Sequence, residues 1–257
     1  MCSSDLDTAV HKKPQALITK ELRVLLRTMT YRMNCIYVNL LWLVAAPVLG
    51  LMAAEGGALN LFAKELQAGD ALCCTLMFSA VVASSFVASG LNSLASTSFT
   101  REGTHIDLIK YIPVDIKTQI KAKAFVSILI TFIPLAIAII VLTLFFGIPL
   151  MMLLYIPTAF LCCVIACMTG MLMDSIAPYT IWSDELSALR GNLNCFFNLA
   201  AMLLVAAVLA AMSYGLYVLT GSFVAAAGIN LIILILAALW GIFKGLDKVR
   251  NNIESLT

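Results

Sequence analysis

Two long stretches without a single ionisable side chain decide what this chain can fold into. Residues 124–173 contain no Asp, Glu, Lys, Arg or His, and residues 196–243 contain none either. A helix needs about 20 apolar residues to cross the roughly 30 Å hydrocarbon core of a bilayer. Each stretch is therefore long enough for two crossings joined by a tight turn. The turn signals sit where the halves meet, at Gly147-Ile148-Pro149 and at Thr220-Gly221-Ser222. A soluble core has no use for so much uninterrupted apolar sequence. With 62% hydrophobic and 12% charged residues in 257, the chain also lacks the material for a sizeable soluble domain beside its spans.

The expected fold class is all-α, a polytopic membrane protein with six transmembrane helices. Spans are expected over about 33–53, 71–94, 124–146, 150–173, 196–219 and 223–243. Before them, Leu17, Ile18, Leu22, Leu25 and Leu26 recur at helical spacing, while Lys20, Arg23 and Arg27 take other faces. This pattern predicts a short amphipathic helix lying in the membrane interface. Pro47 is expected to kink the first span. Residues 14–245 form one membrane domain between a tail at 1–13 and a tail at 246–257. The opening Met1-Cys2-Ser3-Ser4-Asp5-Leu6 has no apolar core and is no signal peptide. It reads like the translation of a sequencing-library adapter, and residues 1–6 are expected to be extraneous, the alternative being a genuine disordered tail.

Charge placement tests the layout. With both termini cytoplasmic, fifteen of the sixteen Lys and Arg residues fall inside, and Lys64 is the one outside. Cytoplasmic loops of membrane proteins carry this excess of basic residues. An odd number of spans would destroy the segregation.

Several functions lose their chemistry at this point. Intramembrane catalysis and ion-coupled transport keep carboxylates, basic groups or His at membrane depth. The expected spans contain none, and both histidines, His11 and His105, fall in polar segments. No Gly-x-x-x-x-Gly-Lys-Ser/Thr phosphate loop exists, so any ATP must be used on another chain. The chain is not expected to be an enzyme. No metal, cofactor or nucleic-acid partner is expected. Cys35, Cys73, Cys74, Cys162, Cys163 and Cys167 all lie in apolar spans and read as small packing residues. In span 2, Ser85 and Ser89 stand four apart in a stretch rich in small residues. They read as a helix-packing face or as part of a path or dimer seam.

The residues with chemistry lie between the spans. The loop after span 2 carries Arg101-Glu102-Gly103, then the apolar Ile106, Leu108, Ile109 and Ile112 around Lys110, then Pro113. Asp115 can cap a basic helix that runs through Lys117, Lys121 and Lys123 into span 3. Such a segment can dock on a soluble partner, or lie as a solvated basic loop at the lipid surface. A second polar loop carries Asp174, Pro178, Trp182, Asp184-Glu185, Arg190 and Asn192-Leu193-Asn194.

The order Ser98-x-x-Arg101-Glu102-Gly103, an apolar run to Pro113 and a helix ending Lys121-Ala122-Lys123 resembles the ABC-2 type permeases. These are the membrane subunits of ATP-driven exporters. The second loop, and Lys20-Glu21-Leu22-Arg23 with Leu26-Arg27-Thr28, Tyr31 and Asn34, are similar to a bacterial subset of that family. Met29 stands where that subset would have Pro, and Gly191 follows Arg190 in place of a larger residue. The resemblance implies a translocation subunit in the bacterial cytoplasmic membrane. Its partners would be a separate ABC ATPase docking on residues 95–123, a second six-span half and membrane lipid. The elbow-like segment implies that this chain is the C-terminal six-span half of a 12-span permease, the alternative being a six-span subunit that pairs with a second copy. The resemblance assigns coupling to Arg101, Glu102, Gly103, Lys110 and Pro113, with Asp174, Trp182, Glu185 and Arg190 as a second cytoplasmic cluster. The alternative is a non-transporting membrane anchor or regulatory subunit that docks the same loop on a cytoplasmic partner. The substrate cannot be read from the residues.

Overall fold

A computed structural model describes residues 13–255, which form a helical bundle with no strand among them. The adapter-like residues 1–6 and His11 lie outside the described residues. Among the described residues, six helices are long and apolar enough to cross a membrane. They are span 1 (Met29–Ala54), span 2 (Ala71–Leu91), span 3 (Ile116–Phe145), span 4 (Met152–Ile176), span 5 (Leu193–Thr220) and span 6, which begins at Phe223. This is the architecture of a multi-pass membrane protein.

The outward faces carry the strongest sign of a lipid environment. Val44, Val48, Leu204, Val208, Val224, Ile232 and Leu236 are all exposed along spans 1, 5 and 6. A soluble monomer does not expose contiguous apolar surface on this scale. In lipid, burial of apolar area drives no association, so the spans must hold together by close packing and hydrogen bonds. The interior is built accordingly. Cys74, Cys162, Cys163 and Cys167 are buried free thiols, beside Ala88, Ala159 and Ala166. Gly90 admits the backbone of span 5, since a Cβ there would meet Leu199 Cα at 3.3 Å. Spans 2 and 4 occupy the middle of the bundle. Span 5 lies against span 2, span 6 against spans 4 and 5, and span 1 along span 3.

The turns fall where glycine permits them. Gly147 (φ +71°) and Gly221 (φ +65°) take left-handed conformations that end spans 3 and 5. Span 1 continues through Pro47 as helix, with a π-helical stretch at Arg32–Tyr37.

Three segments differ from the sequence expectation. The polar connection after span 1 contains a helix, Ala58–Ala68, whose Leu59, Phe62 and Leu66 turn one face inward. Gln67 Nε2 donates to Phe146 O at 3.0 Å and ties this connector helix to the turn between spans 3 and 4. Span 2 stops at Leu91, and the following turns bury Leu94, Ser96, Thr97, Ser98, Phe99 and Thr100 almost completely. The basic helix does run into span 3 as expected, the two forming one helix of 30 residues. Span 6 passes through a π-helical stretch, Gly241–Gly245, into the helix Leu246–Ser255, so the described part of the tail is ordered helix.

The first helix, Lys13–Arg27, and the Leu246–Ser255 helix both pack at one end of the bundle with the two polar loops. The connector helix and both glycine turns lie at the opposite end. These are called the loop end and the connector end below.

Candidate functional site

The loop end is organised around two buried side chains, Asp174 and Lys123. Near the end of span 4 stands Asp174, which is fully buried. The residues after span 2 cross beside it in an irregular path. A buried irregular backbone leaves N–H groups without helix partners, and these must be satisfied elsewhere. Asp174 does this. Its Oδ2 accepts from Phe99 N at 2.6 Å and Thr100 N at 3.1 Å. Its Oδ1 accepts from Thr100 Oγ1 at 2.6 Å, with Asn192 Nδ2 and Asn194 Nδ2 at 3.4 and 3.3 Å. One carboxylate thus joins the ends of spans 2 and 4 to the start of span 5.

Thr100 carries the connection to the second loop. Its Oγ1 accepts from Tyr179 N at 3.0 Å and from Asn192 Nδ2 at 2.9 Å. Its carbonyl accepts from Trp182 Nε1 at 2.8 Å. The Trp182 ring then lies over Gly103, which has φ +58°. A Cβ at Gly103 would stand 3.0 Å from the ring, so both the backbone angle and the ring call for glycine.

The second buried charge is Lys123, at the point where span 3 leaves the bundle interior. Its Nζ lies 2.8 Å from Glu21 Oε1 and 2.5 Å from Glu102 Oε1. Arg101 adds a longer contact to Glu21, at 3.9 Å, and Lys20 one to Glu102, at 3.5 Å. Arg101 is held from behind. It donates to Thr97 O and Leu94 O at 3.1 and 3.3 Å, and its guanidinium sits 5.8 Å above the centre of the Tyr31 ring. Burial pushes the carboxyls of Glu21 and Glu102 up, but the Lys123 ammonium, with Arg101, outweighs it. Glu21 is held below its ordinary value, and Glu102, with Lys20 also beside it, is pulled down to about 2. Both are therefore carboxylates at neutral pH. Three elements distant in sequence, the first helix, the loop after span 2 and the root of span 3, become one body.

This body faces outward through an open cavity of about 530 Å³, bounded by Lys20, Arg101, Glu102, His105, Leu108 and Trp182 among others.

Of the residues singled out by sequence, Arg101, Glu102, Gly103, Asp174 and Trp182 are brought together. Lys110 and Pro113 are not. Lys110 reaches toward the far helix, 3.5 Å from Glu254 O, and Pro113 is exposed in the linker before span 3. Glu185 is exposed at the start of the short helix Glu185–Arg190, which Asp184 caps through Ser187 N at 2.7 Å. Arg190 lies at the edge, 3.5 Å from Asn34 Oδ1. Asp115 stands at the N-terminus of span 3 but makes no side-chain cap, and Gln119 instead fastens the linker by donating to Ile109 O and Val114 O, each at 3.0 Å. Ser85 and Ser89 belong to the span packing. Ser85 Oγ donates to Val81 O at 2.6 Å, and Ser89 Oγ contacts Cys163 Sγ at 3.3 Å. In the apolar docking segment, Ile109 is buried and Ile106 packs on the same internal cluster, leaving Leu108 and Tyr111 exposed.

Sequence reasoning passed over Glu21, Lys123, Thr100 and Asn192 as site residues. Two of them carried a signal. Glu21 is the one acid between Pro14 and Thr28, and Lys123 is the last charge before fifty uncharged residues. A long charged side chain retained at such a boundary needs a partner. A scan against known protein families, a search of characterised proteins and a search of solved structures each found no match to this chain.

Proposed function

We propose that the chain is the translocation subunit of an ATP-driven exporter of the ABC-2 permease type. One observation carries this reading. The loop after span 2, the first helix and the root of span 3 are ion-paired into one body at the loop end, around an open cavity. A push on that body moves spans 2, 3 and 4 together, which is what coupling to a separate ATPase requires. On this reading the loop end is cytoplasmic, the first helix lies in the membrane interface, and the membrane is a bacterial cytoplasmic membrane. A second six-span half, in a longer chain or a second copy, completes the path.

The same geometry refines the roles within the loop. Arg101 and Glu102 are paired behind the surface, so they serve as struts between the partner and the spans. The exposed Leu108, Tyr111 and Ile181 are the residues placed to touch a partner. Pairwise burial of such apolar side chains among charges is the usual core of a helix-in-groove contact.

The test places a photo-crosslinking amino acid at Tyr111 or, as a control, at the lipid-facing Val48, in membranes of the native host. The expected adduct at Tyr111 is an ATPase with a phosphate-binding loop, with none at Val48. A soluble partner without such a loop would replace the exporter with the membrane-anchor reading. An absence of any protein adduct at Tyr111 would sink both.

A further inference from the structure

Spans 1 and 2 are neighbours in sequence, yet span 1 packs along span 3 while span 2 packs against spans 4 and 5. Between them, toward the connector end, lies a cavity of about 390 Å³. This is within the size range of ligand sites. Its shape follows the helices. On span 3 and its cap the lining runs from Leu135 to Phe146. Eleven rises of 1.5 Å make roughly 16 Å. That is about half the ~30 Å hydrocarbon core, the depth of one leaflet. Leu59 and Phe62 of the connector helix border it, and Leu49 and Leu76, 45% and 44% exposed, stand at its open side.

The wall is apolar. Its Ser84 and Thr143 hydroxyls are spent on their own helices, donating to Val81 O and Ile139 O. The exception is Tyr155, in the first turn of span 4, whose buried hydroxyl has no hydrogen-bond partner. A buried tyrosine hydroxyl is ordinarily paired. Water does not fill an apolar cavity of this kind stably. Left empty, the wall loses its dispersion contacts on one side. The medium around the open side of a membrane helix bundle is hydrocarbon chain.

We propose that this cavity binds one hydrocarbon chain of a membrane amphiphile from the leaflet at the connector end, with a carboxyl or ester oxygen of that molecule accepting from Tyr155. The inference requires that the six helices cross a bilayer, and it stands apart from the exporter reading.

The test uses the full chain in phosphatidylcholine nanodiscs. One arm contains a phosphatidylcholine with a diazirine at mid-chain, and the other contains palmitic acid with the same group. Illumination and peptide mass spectrometry then map the adducts. Trp42 and Leu142 line the cavity and are half-buried. Val44 and Val48 face outward and report the lipid surrounding the bundle. The expected result is labelling of Trp42 and Leu142 as well as of the two valines. Labelling in the phospholipid arm identifies the occupant as bilayer lipid, and labelling confined to the fatty-acid arm identifies a single-chain amphiphile.

Ala80 lines the cavity and is exposed, so Ala80→Phe places a ring in it. That variant should lose cavity adducts ~tenfold with the valine adducts unchanged. Tyr155→Phe keeps the ring and should lower them about threefold, the effect of one modest hydrogen bond. Adducts on Val44 and Val48 alone, in both arms of the unaltered chain, would overturn the proposal whether or not either variant folds. Unchanged adducts in Tyr155→Phe would overturn the role given to its hydroxyl.

Discussion

The two ends of this bundle solve the problem of holding helices together in opposite ways. At the loop end, backbone and charge are buried together. Asp174 satisfies an irregular segment, and Lys123 bridges two carboxylates. At the connector end no buried charge is present among the described residues, a polar tie joins Gln67 to Phe146 O, turns rest on Gly147 and Gly221, and a gap lined by hydrocarbon remains between spans 1 and 2. The first arrangement has few alternatives, because each buried charge specifies its partners and leaving one unpaired is costly. The second tolerates rearrangement, because apolar surfaces exchange neighbours, or lipid, at little cost. On the exporter reading proposed above, the driven end would have to transmit force without slipping while the other end changes shape.

The largest expected effect comes from removing Lys123. Lys123→Met keeps the length of the side chain but strands Glu21 and Glu102 against each other. Loss of about 3 kcal/mol is expected, as for other broken buried pairs, and thermal unfolding in detergent measures it. A loss under about 1 kcal/mol would erase the contrast between the two ends. Acid is the gentler version of the same experiment. Glu102 is ionised down to about pH 2 in the folded protein, against an ordinary value of 4.5. Its contribution is therefore fully present above pH 4.5 and is lost as the pH falls from there toward 2. The Lys123→Met variant should lose this acid-labile component.

Asp174→Asn should cost about 2 kcal/mol, since it removes the charge that several donors share and turns an amide toward Phe99 N. The local readout is proteolysis, which should open residues 95–105 before the spans unfold. Uniform loss of the whole bundle would show that Asp174 holds more than this segment. Gly103→Ala should cost about 1 kcal/mol by forcing a positive φ on alanine. It should also displace Trp182, seen as a fluorescence shift when Trp182 is the remaining tryptophan. The smallest effect is expected for Ser89→Ala. Its contact with Cys163 is worth about 0.6 kcal/mol or less in a membrane interior. A larger loss there would mean that the apolar spans rely on polar pairs as much as the loop end does.

Much of the architecture was legible along the chain. The bilayer sets a length, apolar runs either meet it or do not, and glycine marks the turns. Residues 124–173 and 196–243 could be divided into four helices on these grounds, and the structure divides them at Gly147 and Gly221. The helix Ala58–Ala68 was readable too, since Leu59, Phe62, Ala63 and Leu66 recur at helical spacing, but the flanking glycines and acids obscured it. These are local properties, and each depends on residues within a few turns of one another.

The candidate site was legible only in part, for a reason of range. Arg101, Glu102, Gly103, Asp174 and Trp182 stood out as polar groups between spans, and no residue in the chain states which of them meet. Lys123 finds Glu21 from 102 positions away, and Asp174 finds Phe99 from 75. Ile109, which looked free to dock on a partner, is consumed by the internal core. Amino-acid order determines which segments enter the membrane, because that free energy is summed residue by residue within a helix. Which buried charges pair, and which apolar faces stay open, emerges only when six helices pack at once, because those energies exist between segments and have no value in any one of them.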